Sequence, residues 1–127
     1  MIINDPTTLA EVTAAFERYE HALMSNDLTT LDELFWNSPQ ALRYGVGETL
    51  HGIAAIREFR RKRIGGSPSR ALENTIITTF GTDLGTANTQ FRRANSSQLG
   101  RQSQVWVRMG EGWRIVSAHV SLATGFP

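Results

Sequence analysis

The feature that most constrains this chain is a change of hydrophobic period near its middle. Before about residue 64, apolar side chains recur at helical spacing; from Arg70 onward, β-branched and aromatic residues fall into short runs between turn signals. Asp5-Pro6 reads as a helix cap followed by proline at the first helical position. Leu9, Val12, Phe16, Tyr19 and Leu23 then share one stripe, which predicts a helix from about Pro6 to Ser25. Asn26-Asp27 breaks it, and Asp27 caps a shorter helix carrying Leu28, Leu31, Leu34 and Phe35. The loop at 37–40 ends that helix. Short strands at Ala41 to Tyr44 and around Glu48 to Leu50 lead to a third helix that starts near Gly52 and stops at Gly65-Gly66-Ser67-Pro68. Strands are expected at Arg70 to Phe80, Thr86 to Arg93, Arg101 to Met109 and Trp113 to Leu122, the last two joined by the hairpin signal Gly110-Glu111-Gly112. The order predicts an α+β fold, three N-terminal helices packed in a mostly antiparallel sheet. With 127 residues and no linker, repeat or low-complexity stretch, residues 1–127 are expected to form a single domain.

Composition narrows the function classes. The chain has no cysteine, so neither a disulfide framework nor thiolate chemistry is available. The segment MIINDPTTLAEV lacks a basic stretch followed by an apolar one, and no apolar run approaches the roughly 20 residues a membrane helix needs. The expectation is a cytoplasmic protein without a membrane partner. The three histidines are scattered without ligand spacing, which argues against a metal site. No phosphate-binding loop, dinucleotide fingerprint or nucleophile elbow is present, and no cofactor is expected.

Charge is unevenly spread. Residues 1–42 carry seven acids and one base, whereas residues 43–127 carry five acids and twelve bases, and Lys62 is the only lysine. Arginine suits two-point recognition of carboxylate or phosphate, although a GC-rich genome produces the same bias. The basic residues lie on strands of both parities and are not interleaved with exposed aromatics, so nucleic acid is not the expected partner.

The arginines of the third helix are more informative. On a wheel of 100° per residue from Ile53, Ile56, Phe59 and Ile64 form one stripe. Arg60 and Arg63 fall inside it, while Glu58, Arg61 and Lys62 fall opposite. An arginine on an apolar face costs desolvation unless a carboxylate of the protein or of a ligand pairs with it. Glu20 and Glu48 are the candidate internal partners. With Arg43, Arg60, Arg63 and also Arg92 competing for two acids, positive charge is expected to remain in the interior, where a small anionic metabolite would bind.

Other candidates admit two readings each. Tyr19 is either a core aromatic or a phenol that acts as acid/base in a pocket. Arg43 and Tyr44 end a strand before Gly45 and Gly47; Arg43 is a carboxylate clamp if it points inward and a solvated charge if outward. Gln102, Gln104, Trp106 and Arg108 share one parity. Trp113, Ile115, Ser117, His119 and Ser121 are predicted to share a face, which makes His119 either a structural histidine or a pocket proton carrier.

The whole order of elements resembles the nuclear-transport-factor-2-like cone, also called SnoaL-like or cystatin-like. That resemblance implies a strongly curved sheet wrapped around the first helix, a pocket at the wide end, and a homodimer formed through the sheet. Five stretches narrow it further: YEHAL at 19–23, RYGVGETLHG at 43–52, IREFRRKR at 56–63, GRQSQVW at 100–106 and WRIVSAHVS at 113–121. Together they are similar to a subgroup containing the oxalurate-catabolism accessory protein and the 1,3-dicarboxyurea amidohydrolase of cyanuric acid breakdown. The similarity implies a metal-free pocket for a small, doubly anionic ureido compound. It also implies catalytic roles for a tyrosine and an arginine that match Tyr19 and Arg43. Arg60, Arg63, Tyr44, Gln104 and His119 are added here as substrate-binding candidates from position and phase. The expected function is a small amidohydrolase for a carboxylated urea-like compound. The competing expectation is a non-catalytic binding or accessory module, for an anionic metabolite or a partner amidase. A homodimer is expected on the further ground that three helices cannot cover Trp106, Trp113 and the apolar residues of the other sheet face.

Overall fold

The computed structural model describes residues 1–124. Helix α1 (Pro6–Met24) starts where the sequence predicts: the Asp5 carboxylate accepts from the Thr8 backbone N–H at 3.1 Å and from its hydroxyl at 2.9 Å, with Pro6 opening the helix. Asp27 caps α2 (Leu28–Leu34) in the same way, accepting from the Thr30 N–H. Helix α3 (Ile53–Lys62) has no side-chain cap; Gly52 precedes it at φ 88°, a left-handed conformation that favours glycine. Ile64 lies beyond the end of α3 and is fully exposed. The stripe drawn through Ile53, Ile56 and Phe59 therefore stops one turn short of Ile64.

Six strands form one sheet in the order β2-β1-β6-β5-β4-β3, with β1 (Leu42–Tyr44), β2 (Thr49–His51), β3 (Arg70–Phe80), β4 (Leu84–Arg93), β5 (Leu99–Met109) and β6 (Gly112–Ala123). All neighbours pair antiparallel except β1 and β6, which run parallel. The sheet is curved and unclosed, and its inner face wraps the helices. Val12, Phe16, Tyr19 and Leu23 of α1, Leu31 and Leu34 of α2 and Ile56 of α3 pack with Phe35, Ala87, Trp106 and Ile115 in one core. This is the α+β cone that the element order predicts, with β4 and β5 each starting two residues earlier than expected. No helix among the described residues is long and apolar enough to cross a membrane.

One irregularity redirects a face of the sheet. Val105 pairs with Ser117 and Trp106 with Ile115, which leaves Val116 as an extra residue on β6. Such a bulge shifts side-chain alternation by one. Trp113 and Ile115 point inward before it; Ala118 and Val120 point inward after it. Ser117, His119 and Ser121 thus lie on the outer face, against the expectation that they share a face with Trp113. Both tryptophans are also buried within one chain, Trp106 completely, so they supply no reason for a second copy.

The Asp5 cap carries the first testable consequence. Asp5→Ala is expected to lower unfolding free energy by about 1 kcal/mol, measured by urea denaturation, whereas Asp5→Asn, whose amide oxygen can still accept from the Thr8 N–H, is expected to keep most of the wild-type stability.

Candidate functional site: a guanidinium cluster around a buried phenol

Helix α1 carries Tyr19 into the core, where it is 3 % exposed, and the last turn of α3 brings Arg60 to it, also 3 % exposed. Arg60 Nη2 donates to the Tyr19 phenol oxygen at 3.1 Å. The guanidinium carbon lies 5.3 Å from the Phe35 ring centre and 5.8 Å from that of Tyr19, distances at which a cation gains from an aromatic face. Arg60 Nε and Nη1 are buried without a hydrogen-bond partner. Among the described residues no carboxylate reaches Arg60 or Arg63 within 4.0 Å.

The two acids singled out from the sequence are engaged elsewhere. Glu48 Oε1 accepts from Arg43 Nη1 at 2.8 Å, with the arginine side chain only 8 % exposed. This pair crosses directly over Gly45, where an added Cβ would stand 1.6 Å from Glu48 Oε1; glycine is what lets the carboxylate fold back. Glu20 instead forms a two-point pair with Arg70: Nε donates to Oε2 at 2.9 Å and Nη2 to Oε1 at 2.6 Å. Arg70 Nη2 also donates to Gln102 Oε1 at 3.0 Å, and its guanidinium carbon sits 4.5 Å from the Phe91 ring centre. Arg43 and Arg63 share the Phe59 ring, at 5.3 and 5.2 Å. Four guanidinium groups thus converge with two carboxylates, and Arg60 and Arg63 are the two left without one.

The consequences for ionisation follow. Burial by itself would raise the Tyr19 phenol, but the fields of Arg60 and Arg43, the Arg60 hydrogen bond and the field of Arg70 together hold it below the ordinary tyrosine range. Arg63 is lowered, first by burial and then by the like charges of Arg43 and Arg60. Both shifts report the same condition, an excess of positive charge in a low-dielectric interior.

The sequence-predicted residues divide accordingly. Tyr19, Arg43, Arg60 and Arg63 come together. Gln104 also points inward and is fully buried; its Oε1 accepts from Trp106 Nε1 at 3.0 Å, and its Nε2 has no partner. Tyr44 and His119 do not join them. They meet edge to face at 5.6 Å on the outer surface of the sheet, Tyr44 because it alternates with the inward Arg43 and His119 because of the bulge. Arg92 pairs with Glu73 at 3.2 Å on the exposed rim and takes no part. Arg70, Gln102, Phe35 and Phe59 were not among the sequence candidates. The parity of Gln102 with Gln104 was the available signal for one; the Arg70–Glu20 pair spans 50 residues and had none. Three surface hollows of about 280, 280 and 290 Å³ border the cluster only through Phe35, Arg70 and Gln102 respectively, and none is lined by Tyr19, Arg43 or Arg60. The cluster is closed here, with half-buried Phe59, Arg63 and Glu48 as its parts that reach solvent.

Comparison with known proteins agrees with this fold. A family model described as AtzH-like matches residues 1–125. A crystal structure of a protein of unknown function from the DUF3225 family of Pectobacterium atrosepticum is 55 % identical, covering 96 % of this chain and 95 % of that one, with a TM-score of 0.94. A cystatin-like fold protein from Burkholderia xenovorans is 45 % identical over 100 % of this chain and 99 % of that one, with a TM-score of 0.95. An NTF2-like superfamily protein from Salmonella enterica is 27 % identical, covering 95 % of this chain and 97 % of that one, with a TM-score of 0.71. No curated protein matches the chain.

The depressed phenol can be measured directly, because Tyr19 and Tyr44 are the only tyrosines. In Tyr44→Phe, ultraviolet absorbance of tyrosinate is expected to rise at a pH below the usual tyrosine value of about 10, and Tyr19→Phe is expected to remove that step. Between the folded and unfolded pKa values the unfolded chain binds the extra proton. Stability contributed by Tyr19 therefore grows as pH rises through that window.

Proposed function

The chain belongs to the AtzH-like family, and from that premise and the unpaired Arg60 beside Tyr19 we propose a small amidohydrolase acting on a carboxylated urea-like dianion. The observation that carries the reading is the pair of guanidinium groups, Arg60 and Arg63, left without carboxylates next to a buried phenol. A substrate bearing two carboxylates supplies the missing counter-charge through charge-assisted hydrogen bonds. Arg43 can meet a carboxylate once Glu48, the more exposed member of its pair, turns away. Water adds to the carbonyl carbon, the C–N bond breaks, and the leaving nitrogen takes up a proton, while the proton released by the water restores the group that gave it. Tyr19 is the group suited to deliver that proton, because the surrounding positive field makes the phenol a better acid than a free one. The same field stabilises negative charge on the carbonyl oxygen as water adds.

A second reading, a non-catalytic binder or accessory module, draws on the guanidinium excess alone and needs no phenol. The two separate by mutation. With 1,3-dicarboxyurea and related ureido acids followed by NMR, an enzyme loses about 100-fold or more in turnover in Tyr19→Phe and in Arg43→Ala. A binder shows no turnover at all and retains the ligand in Tyr19→Phe. Absence of turnover across the panel by folded wild-type protein counts against the enzymatic reading.

We also propose a homodimer through the outer face of the sheet. That face carries Ile76 and Leu84, 62 % and 39 % exposed, together with half-buried Val105 and Val107. Light scattering is expected to give twice the mass of one chain, and Ile76→Lys with Val105→Lys to give a monomer; a wild-type monomer overturns this.

A further inference from the structure

Two carboxamides on the inner face of β5 are each locked by a partner that can only donate. Trp106 Nε1 donates to Gln104 Oε1 at 3.0 Å, and Arg70 Nη2 donates to Gln102 Oε1 at 3.0 Å. An indole N–H and a guanidinium have no acceptor to offer, so neither amide can be turned over without losing its bond. The oxygen of each side chain is committed and the –NH₂ must point the other way. Both nitrogens are buried and without a partner, in residues 1 % and 3 % exposed. A buried donor left unmade costs free energy, and two on successive inward positions of one strand call for a common acceptor.

Their placement relative to the cluster is fixed by register. Gln104 pairs with Ala118, which on its other side pairs with Arg43; Gln104 also pairs with Ala87 across β4. Arg43, Ala118, Gln104 and Ala87 therefore form one inward row in which the carboxamide is flanked by two methyl side chains. Gln102, one inward position along, is tied through Arg70 to Glu20, the residue after Tyr19. The unmet polar atoms contributed by Arg60, Arg63, Gln102 and Gln104 are all N–H donors.

We propose that Gln102 and Gln104 are specificity-determining residues that bind the central carbonyl oxygen of the ligand, with Trp106 and Arg70 as their positioning residues. This rests on the dianion reading above and extends it. The arginines take the two ends of the ligand, and the carboxamides require an acceptor between those ends. The site then selects a dicarboxylate with a central carbonyl over the same chain with a methylene there.

The test uses binding, so it is independent of turnover. Acetone-1,3-dicarboxylate has a ketone between two carboxymethyl arms, and glutarate is the same length without the ketone. By calorimetry the wild-type protein is expected to prefer the ketone about 10-fold, the scale of one to two neutral hydrogen bonds. Gln104→Leu and Gln102→Leu are expected to abolish the preference, bringing the ketone down to the level at which the same variant binds glutarate. Trp106→Phe, which frees the Gln104 amide to rotate, is expected to weaken the preference in part. Arg60→Met, by contrast, is expected to lose both ligands. Equal binding of the two dianions by wild type, or equal loss of both in Gln104→Leu with circular dichroism unchanged, overturns the carboxamide role and leaves the dianion site standing. No binding of either compound by wild type overturns the dianion site and this inference with it.

Discussion

The structure depends on how the interior deals with the charge of Arg60. A guanidinium taken out of water loses hydration worth several kcal/mol even after relaxation. Here it recovers one hydrogen bond, donated to the Tyr19 oxygen, and the faces of two rings; a desolvated cation–π contact is worth about 2 kcal/mol or more. Packing places the residue there regardless. It follows Ile53 and Ile56 on the buried stripe of an amphipathic helix, and that helix cannot turn Arg60 to solvent without exposing both isoleucines. The charge is held in place by hydrophobic burial.

Against that, the chain spends its two nearby carboxylates on other arginines. Glu20 lies beside Tyr19 in sequence, yet helical geometry turns consecutive residues 100° apart, which aims Glu20 at the start of β3. There it meets Arg70 with two-point geometry, the strongest form such a pair takes. Glu48 folds back over Gly45 onto Arg43. Each acid is thus taken by an arginine other than Arg60 or Arg63, and the surplus settles on the α3 pair. The like charges of Arg43 and Arg60 then add to burial in lowering Arg63.

Much of this was legible in the sequence because it is local. Caps at Asp5 and Asp27, the stripe of α1, the wheel position of Arg60 and the hairpin at Gly110–Gly112 are set by residues within a few positions of one another. The errors have equally physical causes. Parity along β6 holds only while the ladder is regular, and one unpaired residue, Val116, sent His119 to the outer face. Ile64 sat on the wheel but past the last helical residue. The Arg70–Glu20–Gln102 network joins three elements distant in sequence, so no pattern in the chain announces it. The resemblance was carried by five short stretches taken in order, and each of the five contributes a residue to the cluster or to the carboxamide row.

The chemistry that this interior favours follows from what kind of atom is left unmet. An ordinary buried polar network mixes donors and acceptors so that each satisfies the other. In this cluster the acceptors are already engaged: both Glu20 oxygens, both Glu48 oxygens and both glutamine oxygens receive N–H groups. What remains on Arg60, Arg63, Gln102 and Gln104 can only donate. A neutral guest with donors of its own would leave these groups unsatisfied, and a cation would add repulsion to that. A compact guest rich in oxygen and bearing negative charge meets both demands. The surplus of charge and the surplus of donors are separate properties of these side chains, and the proposed dianion is complementary to both.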